Sequence, residues 1–152
     1  MNILLLIASN SGSTFAASDI VKNALSTAGH TITDKNPKDS TLDDLASAGA
    51  VILASPSWDY MDKEGQPHED FVPFMKSLEG KTLEGKPFAI LGLGDINYTR
   101  FNGAVDIFEA MVQSLKAKLV VPSLRIDRFY QQQDSTEKVT SWATALAQAL
   151  PK

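Results

Sequence analysis

The chain contains no cysteine among its 152 residues. This absence excludes a disulfide framework, a thiolate metal site, a cysteine-ligated iron–sulfur cluster and a thiol nucleophile. Any redox chemistry therefore needs a bound cofactor. Histidine is also scarce: the chain has two, His30 and His68, and we expect both to lie at the surface, too far apart to form a metal site.

The chain also lacks a long apolar segment and an excess of basic residues. Its apolar start, residues 1–8, is far shorter than the roughly 20 residues that cross a bilayer, and it has no positive leading segment typical of a secretory signal. The formal net charge is −4, and nothing in the chain is basic enough to follow a phosphate backbone. We therefore expect a cytoplasmic protein that binds neither membranes nor nucleic acid.

Short apolar runs alternate with segments of helical periodicity along the chain. This alternation is typical of a three-layer α/β sandwich, in which helices cover both faces of a parallel sheet. With 152 residues, of which 43% are hydrophobic, the chain has the size of one domain, and we assign residues 1–152 to it. The predicted strands are 3–8, 30–33, 50–54, 88–92 and 119–121, the last with a candidate continuation at 124–126.

Apolar residues at helical spacing predict five helices between and after these strands. They lie at 15–28, 44–46, 71–78, 105–115 and 139–150, the last opened by Asp134 or Ser135 as a cap. Right-handed crossovers restrict the winding, and the five-stranded order 2-1-3-4-5 fits best. In that order, a ligand binds beyond the carboxyl ends of the first, third and fourth strands.

The loop after the first strand consists of six small polar residues that lead directly into a helix. Hydroxyl and backbone N–H donors at a helix N-terminus suit an anionic phosphate. The loop has no Lys or Arg, and the chain lacks the glycine-rich, lysine-containing loop of nucleotide triphosphatases. An ordinary N-cap turn with extra serines is the alternative, and this loop alone does not distinguish the two. The residues are Ser9, Asn10, Ser11, Gly12, Ser13 and Thr14.

Aromatic residues follow the third and fourth strands. Trp58 lies in the loop after the third strand and Tyr98 in the loop after the fourth. Large aromatic side chains are usually covered by other protein groups or by a ligand, and Trp58 taken alone could pack on the third helix. Two aromatics that converge beside a phosphate-binding turn outline a flat slot for a planar ring with a phosphate tail. A dinucleotide turn is disfavoured, because Asn97 occupies its third glycine position.

Taken together, the three loops resemble those of the short-chain flavodoxins, and the resemblance extends over nearly the whole chain. Residues 9–14 resemble the family's Ser/Thr-x-Thr-Gly-x-Thr turn, and Trp58 lies in its flavin-covering segment. The strongest matches are Gly94-Asp95 with Tyr98, Phe101, Gly103-Ala104-Val105-Asp106 and Leu124-Arg125-Ile126-Asp127. The resemblance implies a flavodoxin-like fold and a monomeric carrier that moves one electron at a time on FMN, at low potential, between a reductase and acceptor enzymes.

The resemblance also implies where FMN binds. The phosphate would lie on residues 9–14, and the flavin ring would lie between Trp58 and Tyr98, with backbone groups of 58–60 and 93–95 at its polar edge. Beyond the first loop, the residues predicted to contact FMN are Pro56, Ser57, Trp58, Asp59, Tyr60, Leu93, Gly94, Asp95, Tyr98, Phe101 and Asn102.

Two features depart from the family pattern. Asp59 stands where the family usually has Gly, which lets a peptide rotate when the flavin takes up its first electron and proton. We expect this rotation to cost about 1 kcal/mol more here, so that the two reduction steps are less separated. Arg100, with Lys63 across the slot, weakens the acidic surface that flavodoxins present to their partners.

Three other functions compete on this fold. An FMN-dependent NAD(P)H or quinone oxidoreductase needs a second pocket above the flavin, for which this chain has little length. A phosphoacceptor domain needs acidic residues after the first and third strands and a Lys ending the fifth. Ser9, Ser55 and Val121 or Pro122 occupy those positions instead. The third is a relative that has lost its cofactor.

Overall fold

A computed structural model of the chain describes residues 1–9, 12–60, 63–95 and 101–151, with residues 59 and 60 described by their backbone alone. The main sheet contains six strands, and two further strands form a separate antiparallel pair. The main strands are β1 (Asn2–Ile7), β2 (Thr31–Lys35), β3 (Ala50–Pro56), β6 (Pro87–Gly94), β7 (Lys118–Leu119) and β8 (Leu124–Asp127), and the pair is β4 (Trp58–Tyr60) and β5 (Lys63–Gln66).

The strands of the main sheet are parallel, and their order is β2-β1-β3-β6, with β7 and β8 both paired to β6. β7 pairs near Pro87, at the start of β6, and β8 pairs from Leu91 onward. They are therefore two segments of the predicted fifth strand, and the predicted order is confirmed. Pro122 lies between them and has no N–H to donate to a neighbouring strand. The carbonyl of Pro122 accepts a hydrogen bond of 2.8 Å from the Trp142 indole.

The described residues form five α-helices between and after the strands, as predicted. α1 ends two residues before Gly29, which has the left-handed φ of 96° that favours glycine at a helix end. The last helix starts at Ser135, but Asp134 makes no side-chain cap and pairs with Lys138 instead. The helices are α1 (Ser13–Thr27), α2 (Leu42–Ser47), α3 (Phe71–Ser77), α4 (Gly103–Ser114) and α5 (Ser135–Ala149), with 3₁₀ turns at Pro37–Asp39 and Phe129–Gln131.

Side chains of the central strands point alternately to two apolar layers. In β1, Ile3, Leu5 and Ile7 face the layer under α1 and α5, while Leu4 and Leu6 face the layer under α3 and α4. The predicted arrangement of helices on both faces of the sheet is confirmed. None of the described helices is both long and apolar enough to span a bilayer.

Both histidines are buried, so the expectation that they lie at the surface is wrong. His30 is 6% exposed and His68 is 4% exposed. His30 Nδ1 lies 3.2 Å from the amino terminus of Met1, and His68 Nδ1 accepts a hydrogen bond from the Asp70 backbone. These polar contacts replace water around each ring, and polar groups can be buried once they are hydrogen-bonded.

Candidate cofactor site

The carboxyl ends of four strands meet at one edge of the main sheet. Ile7 in β1 pairs with Ala54 in β3, and Pro56 at the end of β3 pairs with Leu93 in β6. Gly94, at the end of β6, pairs with Asp127 in β8. The loops that follow the first, third and fourth predicted strands therefore start side by side, as the strand order requires.

The turn after β1 leads into the N-terminus of α1. Gly12 has φ 85° and ψ −16°, and its carbonyl accepts the hydrogen bond of Ala16 in the first turn of the helix. The hydroxyls of Ser9 and Thr14 are buried and have no hydrogen-bond partner among the residues that the structure describes. A buried hydroxyl without a partner costs about 1–3 kcal/mol. Two such groups beside a positive helix end suit a bound anion.

A cavity of about 280 Å³ lies beside this turn. Six residues predicted from the sequence line it: Ser13, Pro56, Ser57, Leu93, Gly94 and Asp95. Four further residues, 128–131, complete the wall and were not predicted. They follow β8, whose carboxyl end lies beside that of β6. The predicted order already placed the fifth strand beside the fourth. Residues 128–131, which follow the fifth strand, could therefore have been identified from that order.

Ser57 joins the end of β6 to the start of α4. Its backbone N–H donates to the Leu93 carbonyl at 2.9 Å, and its hydroxyl accepts the Ala104 N–H at 2.9 Å. The first residue of α4, Gly103, lies against the β5 backbone, because an added Cβ would be 2.7 Å from the Gly65 carbonyl oxygen. These contacts fix the β4–β5 hairpin, which carries Trp58, beside the cavity.

Trp58 packs on His68, three residues before α3. The two rings are stacked, with centroids 5.1 Å apart and an interplanar angle of 20°. The backbone N–H of His68 donates to the Ser55 hydroxyl at 2.9 Å, and its Nδ1 accepts the Asp70 N–H at 3.1 Å. The buried indole N–H of Trp58 has no partner within the described part of the chain. The His68 ring thus supports one face of Trp58.

Asn102 lies where α4 meets the sheet. It is fully buried, with φ 52° and ψ 40°, and its Nδ2 donates to the Ile126 carbonyl at 3.3 Å. Its Oδ1 has no partner among the described residues, and a Cβ at Gly92 or Gly94 would lie 2.8 or 3.2 Å from it. The two glycines therefore allow a close approach of the amide to the end of β6. Phe101, the preceding residue, is half-buried.

Arg128 lines the cavity and carries a guanidinium group. Its backbone is in the left-handed region at φ 43°, and its N–H donates to the Gly94 carbonyl at 2.7 Å. The side chain binds Asp127 through two hydrogen bonds of 3.0 and 2.9 Å. This contact, with a smaller contribution from Asp95, raises the pKa of Arg128 above its usual range. The sequence interpretation missed this residue.

Several predicted site residues are not tested by this geometry. Asn10, Ser11, Tyr98 and Arg100 lie outside the described residues, and Asp59 is described only as part of the β4 backbone. The side chain of Tyr60, which ends β4, is likewise outside the description. The roles of all the predicted residues in binding FMN, including those that line the cavity, stay predictions, as does the slot between Trp58 and Tyr98.

The profile of the Flavodoxin family matches residues 5–142 of the chain. The chain belongs to the flavodoxin family. Flavodoxins are FMN-binding electron-transfer proteins, so the predicted family, fold and cofactor are confirmed.

Individual flavodoxins align over almost the entire chain. A flavodoxin from Maridesulfovibrio salexigens is 30% identical over 144 residues, which are 95% of each chain. The structure of oxidised Flavodoxin 2 from Bacillus cereus is 30% identical, with a TM-score of 0.86 over 97% of this chain and 99% of that one. A Fusobacterium nucleatum flavodoxin bound to flavin mononucleotide has the same fold at 17% identity, with a TM-score of 0.83 over 99% of both chains.

Proposed function

We propose that this flavodoxin carries one electron at a time, at low potential, on non-covalently bound FMN between a reductase and acceptor enzymes. In this proposal it catalyses no reaction on a substrate of its own. The proposal is supported by two buried hydroxyls near the N-terminus of α1, those of Ser9 and Thr14, which have no hydrogen-bond partner in the part of the chain that the structure describes. Ser13, in the same turn, lines a cavity at the carboxyl ends of the central strands, where doubly wound sheets bind ligands.

The turn after β1 would hold the FMN phosphate. Its described residues offer two hydroxyl donors and the first N–H groups of α1, and residues 9–14 include no cation. The helix terminus supplies partial positive charge in place of Lys or Arg. In this arrangement the Ser9 and Thr14 hydroxyls, which have no partner among the described residues, would donate to the phosphate, and binding would remove their desolvation penalty.

FMN supplies a ring that accepts electrons singly, and the surrounding residues set how readily it does so. The face of an aromatic ring carries negative quadrupole charge, so Trp58 opposes a gain of negative charge by a ring that stacks on it. Asp95 lines the cavity, and Asp127 pairs with β6 beside it. Their carboxylates act in the same direction, which favours a low potential for the step that adds negative charge.

The purified protein's visible spectrum during stepwise dithionite reduction tests the proposal. We expect flavin absorption bands that pass through a distinct one-electron state before bleaching. A colourless protein that does not quench the fluorescence of added FMN would contradict cofactor binding. Appreciable NAD(P)H oxidation without a separate reductase would contradict the carrier role and favour the FMN-dependent oxidoreductase. The single domain, the monomeric state and the cytoplasmic location stay predictions, and gel filtration tests the second.

A further inference from the structure

We infer that Arg128 tunes the reduction potential of the bound flavin by offsetting the negative charge of the carboxylates beside it. The inference rests on the proposed function, since it concerns FMN bound at the same site. It assigns a role to a residue that the loops after the first, third and fourth predicted strands do not contain.

Arg128 is held at the site by its backbone as well as by its side chain. It lines the same cavity as Gly94 and Asp95, and its N–H donates to the Gly94 carbonyl at 2.7 Å. Gly94 is the last residue of β6, so this hydrogen bond ties the turn after β8 to the strand end at which the cavity opens. A ligand that enters the cavity therefore meets Arg128 as part of the cavity wall.

The charges around Arg128 form a compact set. Its guanidinium binds both carboxylate oxygens of Asp127, and the two side chains are 30% and 22% exposed. Asp95 contributes further attraction. Among the described residues, two carboxylates and one cation thus lie at this edge of the cavity, so that Arg128 neutralises one of these two negative charges. Partly buried charges are screened less by salt than exposed ones, and a flavin at this site would sense each of them.

A purely stabilising ion pair does not account well for this arrangement. An isolated, partly exposed ion pair contributes little to stability. A residue with a Cβ also pays a conformational penalty at the left-handed φ of 43° that Arg128 adopts. An electrostatic effect on a ligand bound in the cavity explains a cation at this position better than a contribution to stability does.

The test compares the two one-electron reduction steps of the FMN-loaded protein in three variants. Arg128→Asn removes the charge, and Asn tolerates left-handed backbone better than most residues. Arg128→Lys keeps the charge. Lys118→Gln removes a charge at the opposite end of the sheet, because Lys118 pairs with Pro87, seven residues before Gly94 in β6. Seven strand residues span roughly 23 Å, more than two Debye lengths at physiological salt.

We expect Arg128→Asn to make the second reduction step about tenfold less favourable, which is 59 mV for a one-electron couple. The first step adds an electron together with a proton and changes the net charge little, so its potential should shift much less. Arg128→Lys should retain most of the wild-type value, and Lys118→Gln should match the wild type. The affinity for oxidised FMN, measured by fluorescence quenching, should change less than threefold in every variant, since one added charge acts mainly on the reduced ring.

Other results would overturn the inference. An Arg128→Asn variant that behaves like Lys118→Gln would show that the flavin does not sense this charge. Equal shifts in both steps would show that the charge of Arg128 is not the cause of the shifts. An equal loss of affinity for oxidised and reduced FMN would show that Arg128 only helps to bind the cofactor. A wild-type protein that binds no FMN would overturn the proposed function together with this inference. Normal FMN binding with unshifted potentials in Arg128→Asn would overturn the inference alone.

Discussion

The indole of Trp58 and the imidazole of His68 lie almost parallel, with their centroids 5.1 Å apart. His68 is 4% exposed, and two hydrogen bonds fix its position. Its backbone N–H donates to the Ser55 hydroxyl, and its ring Nδ1 accepts from the Asp70 backbone N–H. The Asp70 carboxylate in turn accepts a hydrogen bond of 2.9 Å from the Asn36 side chain. A fixed imidazole thus supports one face of the residue that the family places against the flavin.

Two substitutions of His68 distinguish the contribution of its ring from that of the hydrogen bond that its Nδ1 accepts. His68→Asn keeps an oxygen that can accept the Asp70 N–H but removes the ring, and we expect it to weaken FMN binding several-fold, because Trp58 loses its support. His68→Phe keeps a ring but leaves the Asp70 N–H without an acceptor. It should lower the free energy of unfolding by about 1–3 kcal/mol while largely retaining FMN affinity.

Fluorescence of Trp58 in a Trp142→Phe background, where it is the single tryptophan, reports its environment directly. FMN titration of both His68 variants gives the affinities, and urea denaturation gives the stabilities. Unchanged FMN affinity and unchanged Trp58 emission in His68→Asn would contradict the supporting role.

Removing the buried Thr14 hydroxyl should affect the cofactor-bound protein but not the apoprotein. Thr14→Val keeps the shape of the side chain, and the hydroxyl has no partner among the described residues. The apoprotein should therefore be as stable as the wild type or more stable by about 1 kcal/mol. A lost hydrogen bond to a phosphate should weaken FMN binding by about 10–100-fold, while riboflavin, which lacks the phosphate, should bind unchanged.

Thr144→Val is the matched control for this variant. Thr144 lies on the exposed face of α5, and its hydroxyl donates to the Thr140 carbonyl at 2.9 Å. Thr144→Val should leave the affinities for FMN and for riboflavin unchanged. Equal losses of FMN and riboflavin affinity in Thr14→Val would place the phosphate elsewhere.

The sheet could be predicted from sequence because three of its strands are buried on both faces. β1, β3 and β6 are nearly continuous apolar runs. A run of this kind is typical of a central strand in a parallel sheet, where both faces are covered by helices. The β4–β5 hairpin could not be predicted, because residues 58–66 are mainly polar and do not alternate. Its position depends on the contact of Gly65 with Gly103, which are 38 residues apart in sequence.

The lining of the cavity could be predicted from the sequence where its residues follow predicted strands, but not where tertiary contacts decide. Ser57, Gly94 and Asp95 follow directly from the strand order, and all three line the cavity. The buried position of His68 depends on partners that only the folded chain brings together. Arg128 was missed for a different reason: an arginine after the last strand looks like a surface charge until its left-handed backbone is known.

Asp44 makes the stability of the α2 region dependent on pH. Its carboxylate accepts hydrogen bonds of 2.9 Å from both Lys35 and the Thr41 N–H, and the Thr41 hydroxyl accepts the Asp44 N–H, which completes a capping box. The hydrogen bond from Lys35, followed by that from Thr41, lowers the pKa of Asp44 below its usual 3.8. A lowered pKa in the folded state stabilises the protein above pH 3.8, and this stabilisation is lost as the pH falls through the folded-state value.

Asp44→Asn should therefore destabilise the protein by about 0.5–1 kcal/mol at pH 7, and the difference from the wild type should shrink below about pH 4. Asp43→Asn removes a charge from the same first turn without touching the capping box, and should have a smaller effect. Urea denaturation between pH 3 and pH 7 measures both. A difference between Asp44→Asn and the wild type that stays constant over this range would rule out the carboxylate as its source.

Asp59→Gly tests whether the residue at the family's usual glycine position limits the redox behaviour of this chain. Asp59 lies in β4, beside Trp58, and the family resemblance implies that its peptide rotates when the flavin takes up its first electron and proton. A side chain at this position resists positive φ by about 1 kcal/mol, which glycine does not. The substitution should therefore favour the first reduction step by about fivefold and widen the separation between the two steps.

Spectroscopically monitored redox titration of the FMN-loaded protein measures both potentials. Asp59→Asn is the matched control: it removes the same negative charge as Asp59→Gly but keeps a side chain at the position. If the conformational cost decides, only the glycine variant widens the separation. If the charge of Asp59 decides, both variants shift the second step and the first stays in place. An unchanged separation in Asp59→Gly would contradict the proposed peptide rotation at this residue.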